Sequence, residues 1–278
     1  IKSNDAYVCT CKQDTISKNR REMTECECTR RSIQENEQMW HEMFGEKKFK
    51  EGQALLRFRG DMKSGNTTMR DPTLFRINTK KHARADQKYR VWPTYDFAGI
   101  IFDSNSGVTH AMRSKEFELR KELHYNILDK LGMEKAEFIF FGRLELEGMP
   151  VSKSALKPLI EDGKIPWYDD PRLPTLEGLR RRGIRPEAVR KFIISLGLTK
   201  NDTNSPFATL EAFNKKIVDP ECVRLHMVSD PKKMKITNFE AREITLANHP
   251  TKDLGTRTVM VDGILLVSGS DAEQMKVG

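Results

Sequence analysis

The sequence predicts a mixed α/β protein, and three observations carry that prediction. Between positions 93 and 147, two apolar runs, a long amphipathic stretch and a third apolar run follow one another, the order of a parallel crossover. Positions 148–219 carry helix start and stop signals in succession. Beyond Asp219-Pro220 the pattern changes to short alternating runs.

The first region, 1–92, reads as a small α+β module. Ser32-Ile33-Gln34-Glu35 has the form of a capping box, in which the Ser side chain satisfies one free helix amide and the Glu another. Ile33, Met39, Trp40, Met43 and Phe44 then recur at helical spacing up to Gly45. Leu56 and Phe58 alternate with Arg57 and Arg59, and 74–77 and 89–92 are further short strands.

In the second region, 93–147, the nearly unbroken apolar run 97–102 predicts a strand buried on both faces, and 107–112 a second strand. A helix over 114–131 follows, with Phe117, Leu123, Ile127, Leu128 and Leu131 inward and Gly132 as its stop. Residues 137–141 form the next strand. This is half of a nucleotide-binding fold.

From 148 to 219 the signals are helical. Gly183 ends one helix after Arg180-Arg181-Arg182, Pro186 opens the next with Val189, Phe192, Ile193 and Leu196 inward, and Ser205-Pro206 opens a third around Leu210, Phe213 and Ile217. In the last region, 220–278, Asp262-Gly263 stands between the β-runs 257–261 and 264–267, a hairpin signal.

The 278 residues carry 48 Lys+Arg against 40 Asp+Glu, a net charge of +8, with 37% apolar and 32% charged residues. Collagen-like and wholly disordered classes are excluded, and the longest apolar runs fall far short of the roughly 20 residues a membrane helix needs. The surplus charge suits a polyanionic partner, with a merely basic, solvated surface as the equal alternative. The amino terminus has neither initiator Met nor secretory signal, which predicts a chain that starts mid-protein.

Five cysteines, four of them in Cys-x-Cys pairs, point to a reducing cytosol rather than to a disulfide framework. Cys9, Cys11, Cys26 and Cys28, brought together by a hairpin, supply the four soft ligands of a closed structural zinc site. Plain reduced thiols are the alternative. Cys222 reads as a lone buried thiol. The loop Ser152-Lys153-Ser154 sets an ammonium and two hydroxyls where phosphate oxygens could be held; an ordinary solvated loop is the alternative.

The chain resembles the class I glutamyl-tRNA and glutaminyl-tRNA synthetases, and among them the archaeal-type glutamyl enzymes. The resemblance rests on ordered stretches: Ala6-Tyr7-Val8-Cys9-Thr10-Cys11, Met69-Arg70-Asp71-Pro72-Thr73-Leu74-Phe75-Arg76-Ile77, and Val91-Trp92-Pro93-Thr94-Tyr95-Asp96-Phe97-Ala98. It continues through Gly107-Val108-Thr109-His110-Ala111-Met112-Arg113, Val151-Ser152-Lys153-Ser154, Asp169-Asp170-Pro171-Arg172 and Gly178-Leu179-Arg180-Arg181-Arg182-Gly183.

This resemblance implies part of a Rossmann-like catalytic fold (93–147) with an inserted α+β acceptor-stem module (1–92). It further implies a helical stem-contact domain following the Ser-Lys-Ser loop (148–219) and the start of an all-β anticodon-binding barrel (220–278). The implied activity is ATP-dependent activation of glutamate and its transfer to tRNA, with Mg²⁺ accompanying ATP. Tyr95 and Arg113 match the amino-acid pocket, and Arg113 suits glutamate better than glutamine because a guanidinium complements a carboxylate. Glu116 and Phe117 match the segment touching the nucleotide, although the family has His or Trp where Phe117 stands. Lys153, flanked by Ser152 and Ser154, matches the second lysine of the Lys-Met-Ser-Lys-Ser loop, and Pro150 replaces the first.

His110 could be a strand-end core residue or a ligand contact. Asp169, Asp170, Arg172, Arg180, Arg181 and Arg182 fall in the stem-contact domain, and Arg57 and Arg59 are expected to meet the acceptor stem backbone. The family's His-x-Gly-His motif is missing, so the first half of the catalytic fold is expected upstream of Ile1. The implied partners are glutamate, tRNA(Glu) and, as an open alternative, tRNA(Gln), for a cytoplasmic, monomeric enzyme with no membrane association. The rivals are a glutaminyl enzyme and a non-catalytic tRNA-binding module.

Overall fold

A computed structural model describes residues 1–150 and 152–275. Val151 of the Val151-Ser152-Lys153-Ser154 stretch and residues 276–278 lie outside the described residues. The chain divides into two compact units, Ile1–Arg143 with Thr199–Asp202, and Leu144–Leu198 with Thr203–Gly278.

The first unit opens with strand β1 (Ala6–Cys9), helix α1 (Gln13–Glu22) and helix α2 (Ile33–Phe44). The capping box forms as expected: Ser32 Oγ accepts from Glu35 N, and the Glu35 carboxylate accepts from Ser32 N at 2.7 Å. Strands β2 (Leu55–Phe58), β3 (Thr73–Ile77) and β4 (Val91–Pro93) complete an antiparallel sheet in the order β1-β2-β3-β4. Val8, Leu56, Leu74 and Ile77 bury one face of it against Met43 of α2. Asn36, 1% exposed, accepts the β1 amide of Val8 at 2.9 Å, so α2 caps part of the strand's free edge.

The predicted strand 97–102 is instead part of helix α3 (Tyr95–Asn105). Ile100 is buried and Phe102 is 71% exposed. Only one side of this apolar run therefore faces the core, which suits a helix and not a strand covered on both faces. A short apolar run is ambiguous by periodicity, and Thr94 with Asp96 in the first turn marks the helix start that decides it.

Gly107 adopts φ +67° just beyond this helix, which postpones the next strand, β5, to His110–Ser114. The helix expected over 114–131 is interrupted: a 3-10 turn over Lys115–Phe117 precedes α4 (Arg120–Leu131). Leu123, Ile127 and Leu128 are buried as expected, but Leu131 is exposed. Strand β6 (Glu137–Phe141) pairs in parallel with β5, His110 opposite Glu137 through Ser114 opposite Phe141. The predicted crossover is therefore present, made by β5, α4 and β6.

In the second unit β7 (Leu144–Leu146) precedes α5 (Lys153–Glu161), α6 (Leu176–Arg181) and α7 (Pro186–Leu196). Strand β8 (Thr203–Ser205), parallel to β7, leads into α8 (Phe207–Val218). Leu179, Ala188, Phe192 and Leu210 form the core here. Ile193, expected inward, is exposed, because Ala188 and Phe192 at i and i+4 occupy the buried stripe of α7.

Strands β9 (Lys232–Lys235), β10 (Arg242–Ala247), β11 (Thr256–Val261) and β12 (Ile264–Val267), followed by α9 (Gly269–Gln274), make up the remainder. The expected Asp262-Gly263 hairpin does not form. β11 pairs with β10, and β12 pairs with β9. Asp262 Oδ1 accepts from Ile264 N at 3.1 Å and Gly263 takes φ +82°, so the pair turns the chain from one ribbon into another. Among the described residues no helix is long and apolar enough to cross a membrane.

Candidate functional site

Three constellations gather the residues singled out by the sequence. The first is built on α3 and β5. Alternation along β5 turns Ala111 and Arg113 inward and leaves His110 and Met112 exposed. Arg113 is 8% exposed and its guanidinium is held at both ends, Nη1 donating to Tyr95 Oη at 3.0 Å and Nη2 to Asp103 Oδ2 at 2.7 Å. It also lies 4.6 Å from the centroid of the Phe138 ring, a cation–π contact.

Tyr95, more than half exposed, presents its other surface to solvent and tilts against Phe117 at 5.2 Å between centroids. The structure thus brings Tyr95, Arg113 and Phe117 together. Glu116 is exposed, with its carboxyl held below the usual range first by the Ser114 hydroxyl, and its Oε1 lies 3.6 Å from Arg143 Nη2. His110 is neither a core residue nor near Arg113's face: it is exposed and pairs across the strands with Glu137.

Beneath this group Asp96 accepts from His124 Nε2 at 3.0 Å and from Arg120 Nη1, with His124 fully buried. Burial alone would raise the Asp96 pKa, but the hydrogen bonds from His124 and Arg120 prevail and hold it below the ordinary carboxyl range. A depressed folded-state pKa means that Asp96 stabilises the fold above its unfolded value, about 3.9, and that this contribution fades as pH falls through the folded value. Asp96→Asn should therefore lower stability at neutral pH by about 3 kcal/mol, the range for removing one partner of a buried pair, and should weaken the acid dependence of unfolding. Urea melts of both proteins at pH 7 and pH 3 check this; equal differences at the two pH values would contradict it.

The second constellation is the cysteine cluster. Cys9 ends β1 and Cys26 precedes the 3-10 turn Glu27–Arg30 that contains Cys28. The connection between the two pairs is helix α1 rather than the expected hairpin. The Cys9–Cys26 and Cys11–Cys28 sulfurs lie 3.9 and 3.7 Å apart, and all four fall within 4.8 Å of one another. A tetrahedron with metal–sulfur bonds of about 2.3 Å has edges of about 3.8 Å. The four residues therefore fit a divalent, thiophilic ion. Burial, with the neighbouring Cys26, pushes the Cys11 thiol up to about 11, while hydrogen bonds from Cys26 and Cys9 draw Cys28 far down. Cys222, by contrast, is exposed rather than buried, because it follows the 3-10 turn Asp219–Glu221 outside the α7/α8 core.

Arg57 and Arg59, expected on the surface, turn inward instead. Arg57 is 1% exposed and its Nε donates to the Asp71 backbone oxygen at 2.8 Å. Arg59 is half-buried and spends its guanidinium on the backbone oxygens of Asn4 and Thr29. Alternation holds along β2: Leu56 and Phe58 join the core around Val8 and Met43, while Arg57, opposite Tyr7 of β1, points to the other face of the sheet, which the cysteine cluster covers, so both faces of the strand are buried.

The third constellation lies in the second unit. Ser152, Lys153 and Ser154 are exposed at the start of α5, where Ser152 Oγ accepts from Ala155 N. The expected loop is in fact a helix N-terminus with a lysine as its first residue. Asp170 is buried and takes three hydrogen bonds from Arg172, from N, Nε and Nη2 at 2.8–2.9 Å, which hold its carboxyl near pKa 2. Asp169 pairs with Arg181 at 3.0 Å, Arg182 with Glu211 at 2.7 Å and Arg180 with Glu177 at 3.6 Å.

A Cβ at Gly178 would sit 2.6 Å from the backbone oxygens of both Asp170 and Leu173. Gly178→Ala should accordingly force the Asp170 turn off α6 and cost about 1–3 kcal/mol, read as a lowered melting temperature. An unchanged melt would show that the turn yields freely.

Residues 1–220 match the description "tRNA synthetases class I (E and Q), catalytic domain", and residues 222–278 match "tRNA synthetases class I (E and Q), anti-codon binding domain". The chain belongs to the class I E and Q tRNA synthetases. Glutamate–tRNA ligases of Cenarchaeum symbiosum and Nitrosopumilus maritimus are 54% and 56% identical to it over 100% and 99% of this chain. Those alignments take in 49% and 48% of the relatives, so the chain spans about half the length of the curated relatives it matches. The crystal structure of the glutamate-tRNA synthetase from Elizabethkingia anophelis aligns with 77% of the chain and 50% of its own at 17% identity and a TM-score of 0.46.

For this class I synthetase chain the expected mixed α/β class holds, a catalytic domain followed by an anticodon-binding domain with β-strands. Sequence reasoning missed Asp103 as Arg113's partner. The signal was present: Tyr95, Gly99 and Asp103 are spaced by four and share a helix face, which a strand reading of 97–102 conceals.

Proposed function

We propose that the protein containing this chain is a glutamate–tRNA ligase that activates glutamate with ATP, accompanied by Mg²⁺, to glutamyl-adenylate and passes the glutamyl group to the 3′ end of tRNA(Glu). The observation that supports it most is the Arg113–Tyr95 pair, a fixed guanidinium beside an exposed phenol ring in a chain of this family. Arg113 orients the side-chain carboxylate of glutamate, and Tyr95 covers it; two of the five guanidinium N–H groups are engaged by Tyr95 and Asp103, which leaves donors for the substrate.

Glu116 and Phe117 adjoin this pocket and serve the nucleotide. Lys153, at the positive end of α5 between Ser152 and Ser154, stabilises charge developing on the phosphates as pyrophosphate leaves. The catalytic gain lies in positioning and charge stabilisation rather than in a covalent step on the protein.

Arg180, Arg181 and Arg182 supply the tRNA-facing charge, on a surface braced by Asp169, Asp170 and Arg172. Residues 1–92 form the acceptor-stem module, 93–147 part of the catalytic fold, 148–219 the stem-contact domain and 220–278 the start of the anticodon-binding barrel. Cys9, Cys11, Cys26 and Cys28 hold a structural Zn²⁺ that fastens the first module. The partners are glutamate and tRNA(Glu), with tRNA(Gln) to be assayed beside it, for a cytoplasmic, monomeric enzyme.

Aminoacylation of tRNA(Glu) transcript by the full-length protein tests the reading. Stable glutamyl-tRNA is the expected product. A protein that binds tRNA yet forms no adenylate would instead be a non-catalytic tRNA-binding module.

A further inference from the structure

Arg57 is an unusual buried charge. It is 1% exposed, its Nε hydrogen bond goes to a backbone oxygen, and its Nη2 has no hydrogen-bond partner. The nearby Asp71 carboxylate is committed elsewhere, Oδ2 accepting from Tyr7 Oη at 2.8 Å and Oδ1 from Gly60 N at 2.9 Å. The remaining nitrogen, Nη1, lies 3.9 Å from Cys9 Sγ and 3.9 Å from Cys26 Sγ. A guanidinium taken out of water costs several kcal/mol unless charged acceptors meet it; Asp71 lends opposite charge nearby but accepts no hydrogen bond from Nη1 or Nη2 through its carboxylate, and thiols are poor acceptors beside thiolates. Four thiolates around a divalent ion carry a net charge of 2−, which also has to be offset in a buried setting.

We infer that Arg57 is the internal counter-charge of the four-cysteine centre, donating through Nη1 to the Cys9 and Cys26 thiolates and raising the centre's affinity for its metal. The inference rests on reading the four cysteines as a metal site. It gives this strand arginine a task unrelated to nucleic acid, since its head group cannot reach solvent. Tyr7 and Asp71 set the geometry: the guanidinium carbon stands 5.6 Å from the Tyr7 ring centroid, and the Asp71 backbone fixes Nε.

The test compares the wild-type chain with Arg57→Met and Arg57→Lys. Zinc content is measured by elemental analysis, affinity by chelator competition, and thiolate coordination by the absorption of the Co²⁺-loaded proteins. Arg57→Met should bind zinc about 10–100-fold more weakly, the usual cost of losing a group that supports metal ligands. Its thiolate-to-cobalt charge-transfer band should move to longer wavelength, because a neighbouring positive charge lowers the energy of the sulfur lone pairs. Arg57→Lys, which keeps the charge, should stay within a few-fold of wild type.

Unchanged zinc affinity in Arg57→Met, with wild type holding one zinc, overturns the role of Arg57 and leaves the metal reading standing. Absence of zinc from wild type sinks the metal reading and the inference with it. Should Arg57→Met fail to fold, Arg57→Lys decides: zinc weakened tenfold or more despite the retained charge would overturn the counter-charge role.

Discussion

Replacing Arg113 by Ala should lower glutamate-dependent ATP–pyrophosphate exchange by the full-length synthetase on the order of 10²- to 10³-fold. Removing one member of a buried, hydrogen-bonded charge pair at a binding interface costs about 2–5 kcal/mol, and Arg113, hydrogen-bonded to Tyr95, is the guanidinium proposed to meet the glutamate carboxylate. The same change leaves Asp103 without its partner, so thermal unfolding must be followed in parallel. Arg113→Lys separates the two contributions. It keeps a positive charge for Asp103 but loses the planar fork, so it should restore stability more than activity. Exchange unimpaired in Arg113→Ala would show that the glutamate carboxylate is recognised elsewhere.

The second large effect is expected at the cysteines. Stripping the proposed Zn²⁺, or changing Cys26 to Ala, should remove the fastening between β1 and the Glu27–Arg30 turn and leave α1 held only by Ile16, its one buried residue, and by the hydrogen bonds of Arg20 with Thr67 and Arg70. Structural zinc contributes about 10–16 kcal/mol in small zinc peptides. Even a third of that, at about 2–4 °C per kcal/mol in a unit of this size, lowers the melting temperature by about 10 °C. Calorimetry with and without chelator measures it. An unchanged transition after chelation would mean that the four cysteines act as plain thiols.

Local signals in the sequence were legible wherever one residue settles the backbone. Ser32 with Glu35 started α2, Pro186 started α7, and Gly132 and Gly183 ended their helices with positive φ. Tyr95 and Arg113, assigned to one pocket by the resemblance alone, are hydrogen-bonded to each other, and the four cysteines, whose two Cys-x-Cys pairs suggested a common site, come together. The failures came where one pattern fits two structures. The run 97–102 is apolar enough for a strand, yet helix α3 buries Ile100 and leaves Phe102 in water.

Arg57 and Arg59 alternate with apolar neighbours as surface residues do, but the cysteine cluster covers the face to which Arg57 points, and no pattern local to β2 encodes that cover. Asp262-Gly263 does redirect the chain, but not as the hairpin expected of it, because the strands on either side pair with β10 and β9, far from it in sequence.

The central claim, that Arg113 and its surroundings serve glutamate in a tRNA ligase, is tested most directly by ATP–pyrophosphate exchange on the full-length protein with glutamate and with glutamine as alternative substrates. Exchange should depend on glutamate, with glutamine at least about 10²-fold less effective because it brings no charge to Arg113. Exchange supported equally well or better by glutamine would contradict it.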